Sequence, residues 1–584
     1  MDMRNLTYEQ LRKEYLDFFK SKDHIEIPSA SLVPDGDASV LFVNAGMFPL
    51  VPFLKGEQHP QGKRLTNSQR CLRTGDIDEV GDKTHCTTFE MLGNWSLNDY
   101  FKKEAIEMTV EFFVEVLQFD INRIYASVFE GEGDIPQDNT SIEAWKGIFA
   151  KYNIDAKVGK TERIMPLGRA DNWWGLPTGG PCGPDSEIFF KTDDGELVEV
   201  GNNVFMEYLL ENGKYLPLGR HNVDFGGGLD RLAMISQGVE SIFEIDIYKP
   251  ILQKVQELSL NSDIHSQRII ADHIKAATWM IMDGVTPANT QQGYVLRRVI
   301  RRAMRHARKL GIEGDFTGLI GEICINQFED IWPKLFEKKG LILNTLTEEE
   351  KKFNNTLGYG LKELDKIILR RNEITGEEIF KMYETYGLPK EVTQEILKER
   401  DIQITNPEGF NKSQELHQEK SRTSSAGLFK GGLADTSEMS TKYHTTTHLL
   451  LSALRKVLGD SVYQKGSNIT SERLRLDFPY DNKLTDEQIL EIENIVNKAI
   501  GDKLGITYKE VSKEEALKLV PFAAFEEKYG DTVKIYTIGD LTNPFSTEIC
   551  NGPHVSNTSE LGKFKITKQE SVGSGIKRIK GILE

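Results

Sequence analysis

The sequence predicts an α+β protein of several domains, and three observations carry that expectation. At 584 residues the chain is too long for a single hydrophobic core. Its first 240 residues set short β-like stretches among loops rich in Gly and Pro, the pattern of non-parallel strands. From about 241 to 400 the pattern turns helical, with apolar residues recurring every three or four positions.

The elements follow in order. "MDMRNLTYEQLRKEYLDFF" reads as an amphipathic helix with Leu11, Tyr15, Phe18 and Phe19 on one side. Strands are expected at Ser39–Val43, Arg123–Val128, Glu187–Phe190 and Asn203–Tyr208. Helices are expected over "DIYKPILQKVQEL", "DHIKAATWMIMDG", "GYVLRRVIRRAMRHARKLG" and "TEEEKKFNNTLGYGLKELDKIILRR". Residues 401–440 are polar and turn-rich and read as a linker with a short helix. Residues 441–584 open on the helical "KYHTTTHLLLSALRKVLG" and close on strand-like "GKFKITKQESVGSGIKRIKG". The expected division is therefore 1–240, 241–400, a linker over 401–440, and 441–584.

Composition excludes some classes. Apolar content of 39% and charged content of 28% are ordinary for a soluble globular chain. No window offers the ~20 uninterrupted apolar residues of a membrane span, and the N-terminus lacks a signal-peptide apolar stretch. The five cysteines (Cys71, Cys86, Cys182, Cys324, Cys550) are sparse and widely spaced, which fits a reducing compartment. A cytoplasmic protein with no membrane partner is expected.

A net charge of −17 argues against wholesale coating by nucleic acid. The stretch 293–311 overrides that balance locally. Arg297, Arg298, Arg301, Arg302, Arg305, Arg308 and Lys309 come with no acid among them. Leu296, Val299, Ile300, Ala303, Ala307 and Leu310 recur at helical spacing and would face a core, leaving the cations on the opposite side. Their mutual repulsion calls for an anionic partner, and a phosphate backbone is the expected one.

His444 and His448 stand four apart on a helix and share a face, which by itself is the pattern of two core or solvated histidines. Cys550 and His554 in "EICNGPHV" repeat the spacing about a hundred residues on. Three imidazole nitrogens and one thiolate make a tetrahedral Zn2+ set. HTTTH lacks the glutamate of HExxH, so a metalloprotease is excluded.

Three stretches of the first third are organised for chemistry. "TNSQRCLRTGD" supplies Arg70 and Arg73, and "HCTTFEMLGNWSLNDYF" supplies His85, Phe89 and Glu90. "VDFGGGLDRLAMI" joins Asp224 to a glycine run and to Arg231, and glycines before a helix let backbone approach a ligand closely. SQR, FEMLGN, DNWWGLPTGGPCGP, VFM, VDFGGGLDRL, GYVLRRVIRRAMRHARKLG, YETYGLP, HTTTHLL and CNGPHV together resemble the alanyl-tRNA synthetases in order and spacing, over nearly the whole chain.

The resemblance implies a class II synthetase antiparallel sheet core, a helical tRNA-binding domain and an α+β, zinc-containing editing domain. It implies a ligase acting on L-alanine, ATP with Mg2+, and tRNA-Ala. Arg70 resembles the motif 2 arginine on the α-phosphate and Arg231 the motif 3 arginine on the γ-phosphate, with His85, Phe89 and Met91 completing the nucleotide site. Asp224 matches the carboxylate that grips the substrate ammonium, and Trp174 and Val204 the walls around its methyl group. The family's Gly-Leu-Glu-Arg appears here with Asp230 in the glutamate's place. Asn289 and Glu384 resemble the pair that reads a G·U wobble in the acceptor stem, although the family's acid is an aspartate. The arginine helix, through Arg297, Arg298, Arg301, Arg302 and Arg305, would hold backbone. Thr447 and Gln464 match the editing pocket, where Ser-tRNA and Gly-tRNA would be hydrolysed.

Relatives commonly carry a β-barrel before HTTTH and a dimerising module after the editing domain. Neither has a counterpart here, so a compact monomer is expected. The GPCGP loop carries Asp185 where a second cysteine would stand, and no metal is expected there. Two other readings use fewer of these residues: an editing-only hydrolase, and a non-catalytic tRNA-binding relative.

Overall fold

A computed structural model describes residues 3–34, 40–175, 179–426, 437–480, 482–512, 515–516, 519, 532–550, 552–573 and 575–584. They fall into two compact units, Met1–Lys366 with Met382–Arg400, and Ile367–Lys381 with Asp401–Glu584. The expected boundary near 240 lies inside the first unit, and that at 400 coincides with an edge between the two.

The first unit is built on one sheet. Its strands are β1 (Ile25–Glu26), β2 (Arg64–Leu72), β3 (Thr88–Leu97), β4 (Ile124–Phe129), β5 (Ile164–Leu167), β6 (Trp173–Gly175), β7 (Gly180–Lys191), β8 (Leu197–Glu211) and β9 (Lys214–Gly228). They run in the order β1-β2-β3-β9-β8-β7-β4-β5, with β6 paired to β7. The outer pairs β1–β2 and β4–β5 are parallel, while the run from β2 through β9, β8 and β7 to β4 is antiparallel. Three of the four expected strands fall in β4, β7 and β8. The fourth does not form: residues 40–43 are irregular, and Ser39 lies outside the described residues.

Side chains alternate across a strand, so register assigns each residue of the sheet to a face. Arg70 pairs with Glu90, and Asn94 with Phe225. That face is covered by the helix Tyr8–Ser21, whose Tyr8, Leu11, Tyr15 and Phe19 are buried. Arg12 reaches Glu90 at 3.0 Å, and the Tyr15 hydroxyl donates to Asn94 at 2.8 Å. Thr7 caps this helix and Gln10 returns the bond to the Thr7 N–H, a reciprocal pair that fixes its start. The other face carries Cys71, Phe89, Met91, Gly93, Trp95, Asp224, Gly226, Gly228 and Val204. Gly226 keeps this face low, because a Cβ there would stand 2.9 Å from Met91 Sδ.

Helices Lys249–Leu258, Ile264–Met282, Gln291–Lys309 and Lys339–Arg371 follow, as the periodicity predicts. Helix Ile264–Met282 is buried almost all round, including Asp272, His273 and Lys275.

The second unit holds a parallel pair, β10 (Glu373–Thr375) with β11 (Gln403–Thr405), and a helix over Gly409–Ala426 where the linker was expected. Residues 427–436 of that stretch lie outside the described residues. Strands β12 (Gly466–Ile469) and β13 (Leu474–Pro479) join β17 (Phe564–Gly573) and β18 (Ile576–Leu583) in the order β12-β13-β18-β17. A second sheet comprises β14 (Ile506–Ser512), β15 (Thr532–Gly539) and β16 (Pro544–Ile549). Helices Glu438–Leu458 and Asp486–Gly501 pack over a core of Leu449, Leu450, Leu454, Leu476, Phe478, Ile492 and Ile579.

Candidate functional site

On the face of the first sheet opposite the helix Tyr8–Ser21, an open cleft is lined by Arg73, Asp76, Thr84, His85, Cys86, Phe89, Met91, Glu199, Asp230 and Arg231, with glycines 201, 226 and 228 also in its lining. The Arg73 guanidinium lies 5.0 Å from the centre of the Phe89 ring. Arg231, on the helix Leu229–Ser236 that starts after Gly228, reaches Glu199 at 3.0 Å. His85 is tied to Asp82 at 2.5 Å and Glu79 at 3.1 Å. Asp230 accepts from the Tyr8 hydroxyl at 3.3 Å, with Lys275 at 3.8 Å, and burial pushes its carboxyl up.

Arg70 is not in this cleft, which corrects the expectation for it. Arg70 lies in β2 and Arg73 one residue past its end, where its N–H still donates to the Thr87 carbonyl at 3.0 Å, so the alternation carries on and the two point to opposite faces. Arg70 is buried on the helical side, paired with Asp283 at 3.0 Å and lying 4.9 Å from the Trp332 ring. Arg73 continues the parity of Cys71, which pairs with Phe89, and so reaches the open face.

Further along the same face, Val204 lies directly across from Asp224, and Trp95 pairs with Asp224 on the other side. Trp174, Val204, Trp95 and Met47 pack together. The Trp95 indole N–H donates to Asp224 at 2.7 Å. Burial pushes the Asp224 carboxyl up to about 7, against that donated bond. One sheet face thus carries Phe89, Met91, Val204 and Asp224, with Trp174 packed against Val204's cluster and Arg231 on the helix that follows β9.

In the second unit, His444, His448, Cys550 and His554 converge, with one ligand atom from each lying within 4.8 Å of all the others. Cys550 Sγ is 3.3 Å from His444 Nε2, and edges of about 3.3–3.6 Å are those of a tetrahedron with zinc bond lengths. The outer nitrogens of His444 and His554 are spoken for. His444 Nδ1–H donates to the Pro553 carbonyl at 2.9 Å. His554 Nδ1–H donates at 3.1 Å to Thr445 Oγ1, which donates in turn to the Thr441 carbonyl. These bonds leave Nε2 of both rings as lone-pair donors aimed inward. His554 Nε2 is buried without a hydrogen-bond partner, the mark of a missing ligand. Burial lowers His444 to about 4 and His448 and His554 further, so the rings are neutral and able to bind a cation. The donor set fits a metal ion.

Of the expected editing residues, Thr447 is buried beside His448 with its hydroxyl donating to the Tyr443 carbonyl at 2.8 Å. Gln464 is half-buried and donates to Ser467 at 3.1 Å.

The arginine helix Gln291–Lys309 differs most from expectation. Arg298, Arg301, Arg302 and Arg305 are buried and already paired with carboxylates of the protein. Arg298 reaches Asp78 at 2.6 Å, Arg301 reaches Glu349 at 2.5 Å, Arg302 reaches Glu395 at 2.8 Å, and Arg305 reaches Glu395 at 3.0 Å and also Glu399. These four do not face an RNA backbone; their anionic partners are acids more than forty residues away in sequence. Glu395 is held well below the usual carboxylate range by His306 and Arg302. Arg297 is half-buried between Asn289 and Glu349, while Arg308 and Lys309 are exposed. Asn289 lies beside the YETYGLP segment, its carbonyl accepting from the Tyr383 hydroxyl at 3.3 Å, and Glu384 is exposed on the next position.

Residues 10–470 match the family description tRNA synthetases class II (A), and residues 533–580 match threonyl and alanyl tRNA synthetase second additional domain. The sheet and its cleft are those of a class II tRNA synthetase. An alanine–tRNA ligase of Treponema denticola is 46% identical over 612 aligned positions, covering 100% of both chains. Another, from Treponema pallidum, is 44% identical over 99% of this chain and 98% of its own. An alanine–tRNA ligase of Lachnoclostridium phytofermentans is 35% identical over 98% of this chain but only 79% of its own, so that relative is longer. The chain belongs to the alanine–tRNA ligase family. Among the described residues no helix is long and apolar enough to cross a membrane.

Proposed function

We propose that the cleft of the first unit joins L-alanine to ATP as alanyl-adenylate and passes the alanyl group to the 3′ end of tRNA-Ala. The observation that carries this reading is the sheet face where two guanidiniums, Arg73 and Arg231, line a cleft together with Gly226 and Gly228 of the strand that also carries the Asp224 carboxylate. Ionised Asp224 accepts from the alanine ammonium, and Val204 and Trp174 bound its methyl group. The alanine carboxylate attacks the α-phosphorus, an acyl–phosphate bond forms, and pyrophosphate leaves with the bonding pair. Arg73, in the role first expected of Arg70, neutralises the α-phosphate charge that develops in that step, and Arg231 holds the γ-phosphate. Phe89 and Met91 border the adenine, with His85 at the rim. Asp76 and Glu199 are the cleft carboxylates that would share Mg2+ with the phosphates. Activation requires no general base, because its nucleophile is already an anion; in the transfer step the terminal ribose hydroxyl of the tRNA attacks the acyl carbon, loses its proton, and AMP leaves with the bonding pair.

Residues 1–240 would then be the catalytic domain and 241–400 the acceptor-stem domain, with Asn289 and Glu384 at the wobble pair and the exposed Arg308 on backbone. Residues 441–584 would be the editing domain, with Thr447 and Gln464 at its pocket. A site shaped for a methyl group discriminates against one fewer carbon, or an added hydroxyl, by only about 1–3 kcal/mol. A hydrolytic site for Gly-tRNA and Ser-tRNA makes up the difference. His444, His448, Cys550 and His554 would hold Zn2+, which supplies a fixed positive charge in that site and ties the 550–554 segment to the histidine helix.

Alanine-dependent exchange of labelled pyrophosphate into ATP tests the first site. The expected result is exchange in the intact chain. Its absence would leave the editing-only or the non-catalytic reading in place.

A further inference from the structure

The internally neutralised arginines touch two places at once. On one side they hold the loop 76–87, which carries Asp76, Thr84, His85 and Cys86 of the cleft. Arg302 Nη1 donates to the Ile77 carbonyl at 2.7 Å, and Arg298 pairs with Asp78. The far end of the loop is held through the neighbouring helix, where Asp272 accepts from the Thr87 N–H at 2.8 Å and from the Thr87 hydroxyl at 2.5 Å. His273 bridges the two anchors. Its Nε2 lies 3.0 Å from Arg302 Nη1, a group that can only donate, so the proton sits on Nδ1 and is donated to Asp272 at 2.8 Å.

On the other side the same arginines hold the helix Lys390–Glu399, which follows YETYGLP. Arg302 and Arg305 pair with Glu395, Arg298 Nε lies 3.8 Å from Glu391, and Arg301 donates to the Gly387 carbonyl. Glu391 also accepts from the Tyr294 hydroxyl at 2.6 Å. The Tyr294 ring meets that of Tyr383 at 6.2 Å between centroids, and Tyr383 donates to Asn289. A continuous run of contacts therefore leads from Asn289 through Tyr383, Tyr294, Glu391 and Arg298 to Asp78 and the cleft loop.

We infer that Arg298 and Arg302 are positioning residues that couple occupancy of the acceptor-stem segment at Asn289 and Tyr383 to the placement of the nucleotide-cleft loop 76–87. The inference rests on the reading that ATP enters the cleft and RNA meets Asn289. Guanidiniums suit the task because each is a planar fork that can serve a carbonyl and a carboxylate from different elements together. Movement of the Tyr383 segment on a bound stem shifts Glu391, and through Arg298 the cleft loop moves with it.

The test uses pyrophosphate exchange with and without an acceptor-stem RNA ending in a 2′,3′-dideoxy nucleotide, which binds but accepts no alanine. In the intact chain, saturating RNA is expected to change the KM for ATP about fivefold or more. In Tyr294→Phe and, separately, in Asp78→Asn, exchange without RNA stays within about twofold of the intact chain, while the RNA-induced change falls below about twofold. Equal melting temperatures of the three proteins accompany that result. A purely structural role would instead lower the RNA-free rate and leave the RNA-induced ratio intact. Retention of the full change by both variants, or no change in the intact chain, overturns the coupling. Failure of the intact chain to exchange at all overturns the assignment of the cleft beneath it.

Discussion

The arginine helix and the histidine helix look alike in sequence and differ in what surrounds them. Each sets one kind of polar side chain along a single face, and each pattern calls for something to bind. The protein itself supplies counter-charge for the arginines, with Glu349, Glu391, Glu395 and Glu399 from two later helices, and only Nε of Arg297 and Arg298 stays without a hydrogen bond among the described buried atoms of that helix. For the histidines it answers the outer nitrogens of His444 and His554, leaving His554 Nε2 buried and unsatisfied. A cluster of polar side chains becomes a site when its own fold does not complete it. Arg70 and Arg73 differ in a similar way three residues apart, the first buried and paired with Asp283, the second open to the cleft.

The sharpest way to break that contrast is to truncate both members. Arg73→Ala should lower alanine-dependent pyrophosphate exchange by about 10²–10³-fold with stability nearly unchanged, as loss of one charge-stabilising donor does. Arg70→Ala should cost about 3–5 kcal/mol of unfolding free energy in denaturant titration, because it leaves Asp283 buried and unpaired. If the two phenotypes are exchanged, the assignment of faces is wrong. Next in size, Cys550→Ala should reduce bound metal, measured by mass spectrometry after desalting, from about one ion per chain to a small fraction. The same assay on Cys324→Ala, a buried thiol far in sequence from that cluster, should show no loss.

The proposed alanine site yields a pH test. Asp224 must be ionised to grip an ammonium group, and its carboxyl is held at about 7 by burial. As pH falls below 7 the carboxylate is protonated, so the KM for alanine should rise, approaching about tenfold per unit. A flat KM between pH 8 and 6 would remove Asp224 from the site. The smallest expected effect concerns the exposed cations. Arg308→Gln should reduce the slope of log affinity for tRNA against log salt by about one, whereas Arg302→Gln should leave it unchanged. The reverse would restore the buried arginines as phosphate ligands.

Much of this was readable from spacing. His444 and His448 share a face because helical geometry is local, while Cys550 and His554 lie outside any helix and repeat that spacing in sequence only. The helices after 240 are legible for the same reason. Sheet faces are less so, since parity has meaning only once register is known. Phe89 and Met91 share parity with Cys71 and Arg73 through β2–β3 pairing, which no local signal reveals. The placement of β9 against β3 likewise depends on pairings more than a hundred residues apart in sequence. The acids that neutralise the arginine helix are invisible to a window on that helix, although Glu391, Glu395 and Glu399 at spacing four mark an acidic face that could have been matched to it. The expected strand near residue 40 does not form among the described residues because its apolar run is short: Val43 makes single backbone bonds to Leu32 and to Leu72 of β2, and no ladder extends from them.

The most direct test of the two-site account is charging of tRNA-Ala with alanine and, separately, with serine, by the intact chain and by Cys550→Ala. The account predicts that both proteins make Ala-tRNA at similar rates and that Ser-tRNA accumulates only with the variant. Loss of Ala-tRNA formation in the variant, or no accumulation of Ser-tRNA with either protein, would contradict it.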